Sequence, residues 1–247
     1  MFAGTHTALI TPFRDGDVDF EAFHALIDRQ AEAGIDGIVP VGTTGESPTL
    51  NPDEHLEVIA KAVEFSAGRL KVIAGTGANS TREAIHLTKE AEKLGVDASL
   101  QVCPYYNKPS QEGLYEHYKA VADATKLPIM LYSIPGRSVI EIAVETIVRL
   151  ATDCPNIKAN KEAGGSVDRI NEQIQAVPEG FQILSGDDPL TLPFMSCGAV
   201  GLVSVAGNLI PDVMARLVRA CANGSYDEAL ELQKRYYPLL KTLMTLD

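Results

Sequence analysis

The chain reads as an α/β protein, a (β/α)8 TIM barrel over residues 1–222 followed by the start of a C-terminal helical extension over 223–247. Three observations lead there. The 247 residues fit one barrel of this type. Short apolar runs alternate with amphipathic stretches along almost the whole sequence, as βαβ units in a parallel sheet require. No G-x-G-x-x-G follows the first run and no Walker lysine loop occurs, which disfavours the competing doubly wound open sheet.

The first predicted strand is Thr5–Ile10, and after Asp19 the residues Phe20, Phe23, Leu26 and Ile27 recur at helical spacing. Gly37–Val41 is the second strand. Asn51-Pro52-Asp53-Glu54 then places an N-cap, a proline at N1 and a glutamate at N3 in order, ahead of Leu56, Ile59, Ala60 and Val63 on one face. Val72–Gly75 follows, with a second capping box from Ser80 to Glu83. The remaining strands are Ser99–Val102, Ile129–Tyr132, Ile157–Lys161, Gln182–Ser185 and Gly201–Val205. Their apolar character on both faces suits strands enclosed between a packed interior and a helical shell. Asn223-Gly224-Ser225 ends the pattern. A last helix from about Tyr226 offers Leu230, Leu232, Leu239, Leu240 and Leu243 for burial and stops at Asp247 without a polar tail, so it reads as the first helix of something longer.

A formal charge of −12 with no basic cluster gives no electrostatic footprint for nucleic acid or an anionic membrane. No apolar run approaches the roughly 20 residues of a bilayer span, and no signal peptide precedes the first strand, so the expected location is the cytoplasm. Cys103, Cys154, Cys197 and Cys221 form no C-x-x-C pair and read as buried free thiols. The five histidines, 6, 24, 55, 86 and 117, make no metal-binding spacing, and no metal is expected.

Thr43, Thr44, Tyr106, Tyr132, Lys161 and Asp187 fall at or just beyond predicted strand ends, the face that carries chemistry in such barrels. Period-two alternation puts Ile157, Ala159 and Lys161 on one face, expected to be the interior. An ammonium among apolar side chains loses its proton more readily, and the neutral amine attacks carbonyls. The alternative is a lysine whose head reaches solvent, a description that suits Lys158 better. Gly42–Ser47 has two glycines and several hydroxyls suited to a carboxylate, or serves only as a turn. Tyr132 offers a phenol for proton transfer, or packs. Tyr105 and Tyr106, on the loop before Ser110, have the character of interface aromatics. Arg137 presents a fork for a carboxylate, or forms a surface ion pair.

Together, GTTGES at Gly42–Ser47, AGTGAN at Ala74–Asn79, PYYNKPSQEGLY at Pro104–Tyr115, LYSIPGR at Leu131–Arg137, KEAGG at Lys161–Gly165 and LSGDD at Leu184–Asp188 resemble the dihydrodipicolinate synthase and N-acetylneuraminate lyase superfamily from Phe2 to the chain end. The resemblance implies a Schiff-base lyase that needs no cofactor. Lys161 would form an imine with pyruvate, Tyr132 would act as general acid and base, and Thr43 and Tyr106 would complete a proton relay. Thr44 would hold the pyruvate carboxylate, Arg137 the carboxylate of L-aspartate-4-semialdehyde, and Gly186 and Val203 would line the substrate site. The implied product is 4-hydroxy-tetrahydrodipicolinate, the entry to diaminopimelate and lysine.

The resemblance further implies a homodimer or homotetramer, with Tyr106 reaching into the neighbouring subunit's site. It also implies L-lysine as feedback inhibitor in a cleft where His55, Asn79, Glu83 and Tyr105 match the contacting positions. Pro48 and Pro52 occupy two other positions of that cleft, and Glu83 is already explained by its cap. Ser133 stands where an asparagine commonly follows the tyrosine, Asn160 replaces an apolar residue before the lysine, and the chain is roughly 45 residues shorter than a typical member. The competing readings are another pyruvate-dependent aldolase, for N-acetylneuraminate or 2-keto-3-deoxy sugar acids, and a non-catalytic keto-acid binder or inactive fragment.

Overall fold

The computed structural model describes residues 1–245, so the last two residues of the expected 223–247 segment lie outside the described residues. Eight parallel strands close into a barrel in sequence order. They are β1 (Gly4–Ala8), β2 (Gly37–Val39), β3 (Lys71–Gly75), β4 (Ala98–Val102), β5 (Ile129–Ser133), β6 (Ile157–Glu162), β7 (Gln182–Ser185) and β8 (Gly201–Ser204), with β8 pairing back onto β1. The helices between and after them are α1 (Phe20–Glu32), α2 (Pro52–Ser66), α3 (Thr81–Leu94), α4 (Gln111–Asp123), α5 (Val144–Asp153), α6 (Val167–Ala176), α7 (Thr191–Ser196) and α8 (Pro211–Ala222), and α9 (Tyr226–Thr245) follows the barrel.

Strand alternation sorts the side chains into two sets. Phe2, Ala8, Val39, Ile73, Leu100, Met130, Tyr132, Ala159, Leu184 and Val203 fill the lumen as one cluster. Neighbouring positions such as Ile38, Val72, Leu131 and Leu202 meet the helices. Each fully buried Leu, Ile or Val contributes about 1.5–3 kcal/mol, so the strands are held from both faces. Helix starts follow the sequence signals. Asp19 caps α1 through Ala22 N at 3.0 Å, and Asn51 with Glu54 makes the reciprocal capping box of α2. Ser80 accepts from Glu83 N at 3.4 Å, and among the described residues no return bond completes the second box.

The structure departs from the sequence reading at four further places. β2 ends at Val39, ahead of Val41 at a left-handed φ of 48°, and β1 ends at Ala8, where Asn208 Nδ2 donates to Ala8 O at 2.7 Å and Asn208 Oδ1 accepts from Ile10 N at 3.2 Å. Between β1 and α1 a small hairpin pairs Phe13–Arg14 with Asp17–Val18 around Asp15-Gly16, both at positive φ. In β6 the register shifts: Ile129 pairs Ile157 but Met130 pairs Ala159, so Lys158 is an extra, exposed residue. Ile157 therefore packs with the helices, whereas Ala159 belongs to the lumen cluster, so the expected face of Ile157, Ala159 and Lys161 is split by a bulge. Finally, Cys197 is half-buried, whereas the other three cysteines are buried.

α9 lies against α8 and the turn Asp188–Leu190, where Gln233 Nε2 donates to Pro189 O at 2.6 Å. Leu240 is fully buried, Leu232 and Leu243 are partly so, and Leu230 faces solvent. Among the described residues no helix is long and apolar enough to cross a membrane.

Candidate active site

Lys161 points into the lumen from β6 and is 4% exposed. Its register partner on β5 is Tyr132, and Nζ stands 3.9 Å from the centroid of the tyrosine ring. The lysine stem runs over Gly186: a Cβ there would lie 2.9 Å from Lys161 Cε and 3.0 Å from Cγ. Glycine at the end of β7 is thus a steric requirement of the lysine's path. Burial pushes the Lys161 ammonium down to about 7, only partly opposed by the Asp188 carboxylate. Burial also raises the Tyr132 phenol well above its usual range, against smaller opposite effects of the Thr43 hydroxyl and the Arg137 charge.

A cavity of about 260 Å³ opens beside Tyr132, and Lys161 itself is not among its walls. Thr43, Gly77, Tyr105, Tyr132, Arg137 and Ser138 are among its walls. Thr43 and Thr44 sit in a single 3-10 turn, Thr43–Gly45, which leaves Thr43 exposed toward the cavity and Thr44 half-buried off its wall. Arg137 rides on a helical turn, Pro135–Ser138, directly after β5, and is exposed with no ion pair among the described residues. A guanidinium free at a cavity mouth is available to an anionic ligand. Val203 is fully buried in the lumen cluster and Gly186 acts through the lysine, so neither lines the cavity. Tyr106 is 89% exposed at φ 71°, a conformation unusual for a bulky residue.

A second cavity of about 180 Å³ shares Ser47, Pro48, Gly77 and Tyr105 with the first. His55, Glu83 and Tyr105 line it, together with Pro48 and Pro52. Asn79 stands outside, where its Nδ2 donates to Tyr105 O at 3.3 Å. His55 Nε2 pairs with Gly75 O at 2.8 Å, and Nδ1 lies 3.4 Å from Ser47 Oγ. The half-buried Asp187 does not line the first cavity. Its neighbour Asp188 is a residue the sequence reading missed. It is buried and accepts from Ser204 Oγ at 2.5 Å, Val205 N at 2.9 Å and Ala206 N at 3.0 Å, fastening β7 to β8. Two consecutive aspartates after a buried strand were the available signal, because the chain direction turns one outward and the other in.

The closed barrel, with a buried amine held against a phenol that lines a cavity at the C-terminal strand ends, defines a (β/α)8-barrel enzyme. The chain belongs to the dihydrodipicolinate synthetase family, whose sequence profile matches residues 1–246. It is 52% identical to the 4-hydroxy-tetrahydrodipicolinate synthase of Persephonella marina, over 98% of this chain and 83% of that one. The structure of the 4-hydroxy-tetrahydrodipicolinate synthase from Methylacidiphilum fumariolicum superposes with a TM-score of 0.99 at 55% identity, covering 100% of this chain and 82% of the other. Two further solved relatives carry ligands. The dihydrodipicolinate synthase of Acinetobacter baumannii is complexed with pyruvate, at 42% identity, TM-score 0.97 and coverage of 100% and 85%. That of Cyanidioschyzon merolae has lysine bound, at 43% identity, TM-score 0.96 and coverage of 100% and 84%.

Proposed function

We propose that Lys161 is the imine-forming nucleophile of a 4-hydroxy-tetrahydrodipicolinate synthase, and that Tyr132, Thr43 and Tyr106 move its protons. The activity is that of a lyase in the formation of diaminopimelate and lysine, as in full-length relatives about half identical to this chain. The observation that carries the residue assignment is the buried Lys161 amine, brought to about 7 and held against Tyr132. Half of such an amine is neutral near pH 7, where a surface lysine has almost none.

Nζ attacks the ketone carbon of pyruvate, water leaves and the imine forms. Loss of a methyl proton gives the enamine, whose carbon adds to the aldehyde of L-aspartate-4-semialdehyde. The substrate's own amine then closes on the imine carbon and releases Lys161, so one water is lost overall. Tyr132 gives and takes protons at the carbinolamine and the new hydroxyl, with Thr43 as its neighbour in the relay. Thr44 takes the pyruvate carboxylate and Arg137 the carboxylate of the aldehyde. Gly186 shapes the site through the lysine stem, and Val203 backs the lumen.

A homodimer is the smallest working unit on this reading and a homotetramer the usual one, with Tyr106 passing into the neighbouring subunit. Its near-complete exposure on a loop at the catalytic end supports that role. L-lysine is the inhibitor assigned to the second cavity, where Glu83 faces the ammonium and His55 and Tyr105 complete the wall, with Asn79 holding Tyr105 from behind. Location in the cytoplasm accords with these metabolites.

Borohydride reduction with pyruvate, followed by intact mass and peptide mapping, tests the assignment. One pyruvate adduct on Lys161 is expected, and an unmodified Lys161 sinks it. Condensation of pyruvate with L-aspartate-4-semialdehyde, without turnover of N-acetylneuraminate, separates this activity from the sugar-acid aldolases.

A further inference from the structure

The segment Ile134–Ala143, which carries Arg137, does not hold its shape unaided. Val139 sits at φ 70°, which a β-branched residue adopts only when its surroundings impose it. Three side chains impose it. Ser138 Oγ lies 2.8 Å from both Ile134 O and Ile140 O. Gln111 of α4 donates to Glu141 O at 2.8 Å and accepts from Ala143 N at 2.9 Å. Arg169 of α6 donates to Ile142 O and stands 3.4 Å from the Glu141 carboxylate.

The same guanidinium turns its Nε to Glu162 Oε2 at 2.9 Å. Glu162 follows Lys161 in β6, points to the opposite side and is fully buried. Its two oxygens also accept from Asn160 Nδ2 at 3.2 Å, Gln173 Nε2 at 2.7 Å and Gly164 N at 2.8 Å. One buried, forked cation therefore joins the strand of the nucleophilic lysine to the segment that presents Arg137. We infer that Arg169 is a positioning residue that fixes the spacing between Lys161 and Arg137, and so the length of carboxylate-bearing aldehyde the site accepts. This rests on the assignment of Arg137 to the aldehyde's carboxylate.

Three variants, Arg169→Lys, Glu141→Gln and Arg137→Ala, are compared for kcat, for KM of each substrate, for melting temperature and for the pyruvate adduct. Lysine keeps the charge beside Glu162 but cannot serve Ile142 O and Glu141 in fork geometry. Arg169→Lys is expected to form the adduct and hold the pyruvate KM within about twofold, while raising the KM for L-aspartate-4-semialdehyde about tenfold. Glu141→Gln, altering a half-exposed carboxylate outside the core, should raise the same constant about threefold with an unchanged melting temperature. A rise in both KM values by the same factor, or an unchanged aldehyde KM in Glu141→Gln and in any folded Arg169→Lys protein, overturns the inference. If Arg137→Ala leaves the aldehyde KM unchanged, the assignment of Arg137 itself is lost; if it alone raises that KM, only the positioning role is lost.

Discussion

Tyr132 and Lys161 face each other across the β5–β6 ladder, with the lysine Nζ 3.9 Å from the tyrosine ring centroid. The contact works in two directions. A ring face favours the ammonium by about 0.5–2 kcal/mol. Removal from water works against it: even with the Asp188 carboxylate pulling the other way, the net fall from 10.5 to about 7 corresponds to about 5 kcal/mol. Desolvation wins, so the ring's main effect is to exclude water from the amine and orient it.

The rate of imine formation should therefore follow the neutral fraction of Lys161. Adduct formation at fixed pyruvate is expected to rise about tenfold from pH 6 to pH 8 and then level off, as a group titrating near 7 dictates. Stopped-flow trapping across that range checks it, and a profile still climbing above pH 9 would contradict a depressed amine.

Stability should carry the same signature. The folded amine ionises near 7 and the unfolded one near 10.5, so between those values the unfolded chain holds the extra proton and stability rises with pH. Lys161→Met lacks this term. It should be inactive, yet more stable than the parent by about 1–4 kcal/mol at or below pH 7, with the gap closing toward pH 10. Denaturant melts of both proteins at pH 6.5 and 9.5 measure it.

Tyr132→Phe keeps the ring over Lys161 and loses only the hydroxyl. The pyruvate adduct should still form, whereas kcat falls about 10²- to 10⁴-fold, the range of a lost acid–base group. Turnover close to the parent's would make the phenol a packing residue.

Gly186→Ala places a methyl group against the lysine stem and against Ala163 Cβ, 2.9 Å away. The lysine must change its path. Overpacking of this kind costs about 1–3 kcal/mol, and displacement of the nucleophile should lower kcat about 10- to 100-fold. A melting curve and a steady-state assay on the same preparation separate the two effects.

Tyr106→Ala removes a side chain with almost no contacts within its own protomer. The melting transition of the protomer should stay within about 0.5 kcal/mol of the parent. Turnover, by contrast, should drop and the assembly weaken, as sedimentation velocity would show. Unchanged turnover and assembly would remove Tyr106 from the site.

Much of this architecture is legible in the sequence because buried parallel strands must be apolar on both faces, which is why runs such as Ile129–Tyr132 stand out. Asp19 and Asn51 mark their helices for an equally local reason. What escapes is nonlocal. The bulge at Lys158 depends on how β6 meets β5, and no property of Lys158 announces it. The Asp15-Gly16 turn was readable but sits between flanks too short to form a strand pattern. Asp188 is masked by its neighbour, and the place of Asn79 behind the second cavity depends on Tyr105, 26 residues away. For the site, residue types and strand ends offer Lys161, Tyr132 and Arg137 only as candidates beside plainer alternatives, and the family resemblance supplies their roles. Asp188 and Arg169, and the part Gly186 plays under the lysine stem, emerge only once the barrel has closed.

The extra residue in β6 bears on any attempt to graft this chemistry. Ile157 faces the helices and Ala159 the lumen because Lys158 shifts the count by one. Were the segment Ile157–Glu162 copied onto a regular strand aligned by Ile157, the parity of every later side chain would invert. Glu162 would enter the lumen and the amine would lie among the helices. A transplant of the lysine must carry the irregularity with it, or begin its alignment at Ala159.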